Sequence, residues 1–151
     1  MNRIDRTRRA AFAAFFSFIT IALLSYLTKE TGTGLYLTAS FGASMVLIYG
    51  YPNTPFAHPK NVFFGHIITT LSGLILLHFL PVTSFMLIPA AVALGIFLMI
   101  KFDVVHPPAG GNPIIVIIGE ESFNFLIHPV LFGVVIILTF SAIVRYFFIK
   151  E

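Results

Sequence analysis

Residues 102–121 read FDVVHPPAGGNPIIVIIGEE, and they interrupt a chain that is otherwise almost continuously apolar. Positions 103–112 alone hold an acid, a histidine, two prolines, two glycines and an asparagine. Pro107 and Pro108 lack an amide donor and favour extended backbone ahead of them, so no continuous helix runs through. The apolar run that follows falls well short of the ~20 residues that cross a bilayer. Non-helical backbone at membrane depth is tolerated only against protein or a water-lined cavity. The fold turns on reading this stretch as a broken membrane helix.

Composition supports that setting. Charged residues make up 10% of the 151 and hydrophobic ones 58%, with a mean hydropathy of +0.96. Soluble domains carry about 25% charge, so this is a membrane composition. The lack of cysteine excludes disulfides and thiolate metal sites. Arg3, Arg6, Arg8 and Arg9 precede the first apolar run. They read as a cytoplasmic anchor under the positive-inside rule rather than as a nucleic-acid patch. A cleavable signal is the rival reading, but Ala10–Leu27 exceeds a usual signal core and no small-residue cleavage site follows.

Four stretches approach spanning length: Ala10–Thr28, Val62–Leu80, Phe85–Ile100 and Val130–Ile149. Two shorter apolar pieces, 41–50 and 109–119, lie between them. The order is long, short, long, then long, short, long. Setting Gly42 against Gly110 aligns GASMVLIYG with GGNPIIVIIG, and HPKNVFFG (58–65) then faces HPVLFG (128–133). Six crossings with a cytoplasmic N-terminus put Arg3, Arg6, Arg8, Arg9, Lys60, Lys101, Arg145 and Lys150 inside and only Lys29 outside. Four crossings would move Lys60 and Lys101 out as well. The expectation is therefore an all-α membrane protein in a cell membrane, with both termini cytoplasmic. It consists of one transmembrane domain over 1–151, with no soluble domain. Two inverted repeats, about 10–80 and 84–150, each carry an interrupted short helix in the middle.

In that arrangement the short helices' N-termini, near Gly42–Ser44 and Gly110–Asn112, meet head to head near the bilayer centre. Unpaired amides and the helix dipoles there suit a small anion. The expected binding residues are Thr38, Phe41, Gly42, Ala43 and Ser44 from the first half. His106, Pro107, Pro108, Ala109, Gly110, Gly111 and Asn112 come from the second. Gly110 and Gly111 would admit a ligand to the backbone, with helix packing as the plainer alternative. Ser44 and Asn112 would cap the helices or donate to the ligand. Asp103 and His106 are candidates for proton coupling. The plainer reading of Asp103 is a salt bridge to Lys101 or an interfacial carboxylate. Gly65, Gly73, Gly95 and Gly133 read as packing residues, and His58 and His128 as caps. His66 and His78 lack metal-site spacing, so neither metal nor cofactor is expected. No G-x-S-x-G, HExxH or phosphate loop is present, so transport is preferred to enzymatic activity. An accessory subunit and a membrane enzyme are the alternatives. Six spans in so short a chain leave a thin wall around a central site, so a homo-oligomer is expected.

HPPAGGNP at 106–113, FGASMVL at 41–47 and AHPKNVFFGH at 57–66 resemble the HPP family of small integral membrane proteins. The likeness runs roughly from Phe16 to Phe147. It implies a bacterial or plastid membrane protein, with members associated with nitrite transport. The family is usually described with four transmembrane helices, and windows of ~19 residues would pass over the two short pieces. Nitrite, small and monovalent, suits the anion site read from the residues.

Overall fold

The structure is a computed structural model that describes residues 3–31 and 37–148. Lys150, counted among the inward charges, lies outside the described residues. Every regular element is helical, and the described residues form no strand.

Helix α1 (Arg3–Thr31) begins well before the apolar run. Arginine is a good helix former, so the basic stretch continues the helix. At 1.5 Å per residue α1 is about 43 Å long, which carries its basic turns beyond a ~30 Å hydrocarbon core. Helix α2 (Ala39–Met45) widens into a π-helical turn, Val46–Gly50, and stops at Tyr51 ahead of Pro52. Helix α3 (Pro59–Phe79) has Pro59 at its first position, and His58 Nδ1 accepts the Lys60 amide at 3.2 Å. His58 thus caps a helix, as expected. Helix α4 (Ser84–Lys101) leads into a 3₁₀ turn, Pro107–Gly111, that runs directly into α5 (Asn112–Ile118). A kinked segment, Leu126–Leu131, precedes α6 (Phe132–Phe148). His128 was expected to be a cap but instead has extended backbone at this kink (φ −124°, ψ 113°), and its ring stacks on Phe132 at 4.5 Å.

Four stretches are long and apolar enough to cross a membrane: Ile4–Glu30, Pro59–Phe79, Ser84–Lys101 and Leu126–Phe148. The two shorter ones, Ala39–Gly50 and Pro107–Ile118, rise only about 18 Å each. The long–short–long order occurs twice. A His-Pro pair stands at the start of α3, and another at the break leading to α6.

Helix α3 is central, with half of its apolar window buried against 17% for α1. Phe16 and Leu24 of α1, Phe41 and Met45 of α2, Val62 of α3 and Ile137 of α6 belong to one apolar cluster. A second joins Leu76 of α3 with Leu87 and Ala91 of α4 and Ile117 of α5. Close approach depends on glycine at two places on α3. A Cβ on Gly65 would lie 2.8 Å from His106 Cβ, and one on Gly73 would lie 2.9 Å from Pro113 Cα. The 106–113 stretch is therefore pressed against the middle of the bundle.

Both helices that bracket this stretch end alike. Val104 N–H donates to Met99 O at 2.9 Å, and Asp103 N–H donates to Ile100 O. After α5, Glu121 N–H donates to Val116 O at 3.0 Å and Glu120 N–H to Ile117 O. These are Schellman closures, with an acid where glycine is usual. Asp103 (φ 52°) and Glu120 (φ 49°) are left-handed. Glu120→Gly is expected to raise stability by about 1 kcal/mol by relieving that strain, and Glu120→Val to lower it. Thermal unfolding in detergent measures both.

A buried polar centre as candidate functional site

Four polar side chains from four segments converge where α2, α3 and the 106–112 stretch meet. Ser44 comes from α2, His66 from α3, His106 from the position before the 3₁₀ turn, and Asn112 from the start of α5. All four are completely buried. His106 Nδ1 lies 2.7 Å from Phe56 O, and His106 Nε2 lies 2.8 Å from Ser44 Oγ. Ser44 Oγ is also 3.2 Å from His66 Nε2. His66 Nδ1 is 3.0 Å from Asn112 Nδ2, which also donates to Thr70 Oγ1 at 3.0 Å.

With both rings neutral, these atoms admit one fully paired order. A carbonyl oxygen only accepts, so His106 Nδ1 carries the proton and Nε2 a lone pair. Ser44 therefore donates to His106 and accepts from His66 Nε2–H. His66 Nδ1 then accepts from the Asn112 amide. Ser40 O, 3.0 Å from Ser44 Oγ, is an alternative acceptor. Donation to it would leave His106 Nε2 unpaired. Exchanging the Asn112 oxygen and nitrogen would set two imidazole lone pairs against a single hydroxyl proton. The chain thus runs one way, Asn112 → His66 → Ser44 → His106 → Phe56 O.

One atom falls outside this order. Asn112 Oδ1 is buried and has no hydrogen-bond partner. An unpaired buried acceptor costs roughly 1–3 kcal/mol, a cost removed when a donor enters. Around the centre, Phe41 sets its ring edge-on to His66 at 5.3 Å, and the two imidazole centroids are 5.1 Å apart. The described residues contain no cluster of metal-ligating side chains.

The expected site residues divide. Phe41, Ser44, His106 and Asn112 meet at the centre. Thr38 is the extended residue before α2, and its hydroxyl accepts from Ser40 Oγ at 3.4 Å. Ala109 is buried beside His106, and its amide donates to His106 O at 3.0 Å. Gly42, Ala43 and Pro107 are exposed, while Pro108, Gly110 and Gly111 are half-buried. A Cβ on Gly42, Gly110 or Gly111 would meet nothing within 4 Å, so these are not packing glycines. The space beside each of the three is open.

Several roles are corrected. Helix α2 starts at Ala39, so Gly42–Ser44 lie inside it and their amides are spent on helical bonds. The helix starts therefore do not meet at Gly42–Ser44. The side chains of Ser44 and His106 make the contact instead. Neither Ser44 nor Asn112 caps a helix. Ser44 lies more than a turn inside α2, and Asn112 reaches across to α3. Asp103 faces away from His106. Its carboxylate is 97% exposed and pairs with Lys60 at 3.5 Å, not with Lys101. Lys101 Nζ lies over the Phe97 and Phe102 rings instead.

His66 and Thr70 are the members that spacing did not single out. The repeat alignment sets His66 against Val134, so internal symmetry gave it no support. An ionisable residue within an apolar span is itself the usual mark of a functional position.

A family model described as HPP, transmembrane region, matches residues 2–150. Two transmembrane proteins of Dictyostelium discoideum are each 32% identical over 142 residues, 89% of this chain. The match covers 50% of one and 46% of the other, so the chain spans about half the length of these curated relatives. No solved structure matches.

Ser44→Ala removes the donor to His106 and the acceptor for His66 together. A loss of about 2–4 kcal/mol is expected, the cost of two unpaired buried groups. Gly42→Ala, in the open, is expected to hold or raise stability by up to about 1 kcal/mol. Unfolding in detergent compares the two.

Proposed function

The chain belongs to the HPP transmembrane family, and we propose that it carries a small inorganic anion across the membrane together with a proton, nitrite being the species that the family resemblance favours. The observation that carries this reading is the buried polar centre. It contains two imidazoles, a hydroxyl and an amide, with no carboxylate among them. Buried ionisable groups inside a membrane protein mark ion pathways by default.

Charge balance decides what such a centre accepts. A proton added to His66 or His106 creates a buried cation with no anionic side chain beside it. Asp103 is turned to the surface and paired with Lys60. A small anion entering with the proton supplies the missing charge and lowers the desolvation cost of both. No lysine or arginine sits at the centre to hold the anion permanently, so release on the far side is easy. Gly110 and Gly111, with open space beside them and close to His106 in the chain, would let a small ligand approach the segment that carries this imidazole. Binding there is through side chains, because the helix amides are already used.

The inverted-repeat reading also belongs here. Ser44 and Asn112 occupy equivalent positions in the two halves and hold opposite nitrogens of the same imidazole. Three segments per half, and the distribution of lysine and arginine, support opposite insertion of the halves in a single transmembrane unit. They support six crossings with both termini cytoplasmic in a cell membrane. A homo-oligomer would thicken the wall around the centre.

Purified protein in liposomes is expected to take up nitrite when the outside is acidified. Reversing the proton gradient should suppress uptake, and nitrate, chloride and formate set the selectivity order. His66→Phe and Gly111→Leu should each cut the rate by about tenfold or more, the effect of roughly 1.4 kcal/mol at the barrier. Wild-type protein that inserts correctly yet moves no anion under any pH gradient or voltage would overturn the reading.

A further inference from the structure

Away from the polar centre, three neighbouring cavities that share lining residues outline a groove beside α1. Their volumes are about 520, 310 and 550 Å³; the first lies between α1, the 49–54 segment and Phe148, the second between α1 and the 46–51 segment, and the third between α1 and α2. The first and second share Arg9, Gly50 and Tyr51. The second and third share Ala14, Ser17 and Val46. From Arg9 to Ser25 the groove follows sixteen residues of helix, about 24 Å. That exceeds the ~15 Å depth of one hydrocarbon leaflet.

Its two ends differ in chemistry. Arg6, Arg8 and Arg9 line the outer end, beside the loop carbonyls and side chains of Tyr51–Thr54. Arg145 is held at the same loop by Pro52 O at 3.4 Å. No carboxylate lines any of the three cavities. Asp5, one turn from Arg8 and Arg9 on α1, is the acidic residue nearest them in sequence. The inner end is mostly apolar, lined by Ile21, Ala22, Gly42, Met45 and Val46 along with Ser17 and Ser25. The small residues Ala10, Ala13, Ala14 and Ser17 on α1 make the trough.

We propose that this groove seats an anionic phospholipid, with its phosphate among Arg6, Arg8 and Arg9 and an acyl chain laid along Ala14, Ser17 and Ile21. The three arginines match a phosphate in charge, and guanidinium binds phosphate bidentately. Their depth matches too, because the basic turns of α1 project from the hydrocarbon to headgroup level. A second copy of the chain fits this face less well. Copies in one membrane share an orientation, so their arginine ends would meet at the same level and repel. A lipid phosphate lying there removes that repulsion.

The test uses the whole chain in neutral detergent, with dioleoyl phosphatidylglycerol, dioleoyl phosphatidylcholine and glycerol 3-phosphate as probes. Native mass spectrometry and thermal unfolding supply the readouts. The expected result is one retained phosphatidylglycerol per chain, with a raised melting temperature that phosphatidylcholine does not reproduce. Arg8→Gln with Arg9→Gln should weaken its retention by about thirtyfold. Ala14→Phe, which fills the trough and leaves the charge intact, should weaken it as well. Both substitutions lie on exposed positions of α1, and unchanged circular dichroism confirms that folding survives. Equal retention of phosphatidylcholine would overturn the proposal. So would binding of glycerol 3-phosphate as tight as that of the lipid, which means a headgroup site alone. An Ala14→Phe variant that binds like wild type overturns the seated acyl chain. Lipid-free dimers cross-linked through Ala14→Cys would assign the groove to a second copy instead.

Discussion

Ser44 Oγ stands between two imidazole nitrogens, and with neutral rings it donates a hydrogen bond to His106 and accepts one from His66. That geometry requires three segments far apart in sequence to meet within hydrogen-bond distance. The 107–111 turn must pack against both α2 and α3, so that Ser44 and Phe41 of α2 reach His66. Each close approach has its own enabling residue. Gly65 lets His106 reach α3, Gly73 lets α5 settle beside it, and Phe56 O fixes the outer imidazole. A side chain at Gly65 or Gly73 would force these segments apart and leave polar atoms without partners, which is costly inside a membrane.

The apolar surroundings give this centre its leverage. A hydrogen bond in low dielectric is stronger than in water, and an unpaired group there is correspondingly expensive. A chain that is almost wholly paired yet leaves Asn112 Oδ1 without a donor holds its unsatisfied potential at one atom. The charged residues are kept elsewhere. Asp103 and Lys60 pair at the surface, Lys101 lies over two phenylalanines, and the arginines of α1 stand at one end. The centre is polar without being ionic, and its charge depends on what enters it.

The two halves share an order of elements without sharing all residues. Ser44 and Asn112, which the sequence alignment of the halves sets opposite each other, both reach His66. The position corresponding to His66 in the second half is Val134, buried in an apolar cluster.

Much of the fold was legible in the chain alone. Runs of apolar residues at spanning length fixed four long helices, because hydrocarbon admits little else. Pro107, Pro108 and the adjoining glycines announced a break, because proline has no amide to continue a helix. Ser44, His106 and Asn112 stood out as polar residues in apolar runs. Other features had no signature along the chain. Where α2 begins depends on the extended backbone of Thr38, and the direction of Asp103 depends on a left-handed turn. The partnership of His66 with Ser44 and Asn112 spans 22 and 46 residues, and only packing brings them together. Sequence determined which residues are costly to bury. Tertiary structure decided which of them bury one another, because hydrogen bonding depends on distances between segments that no local pattern encodes.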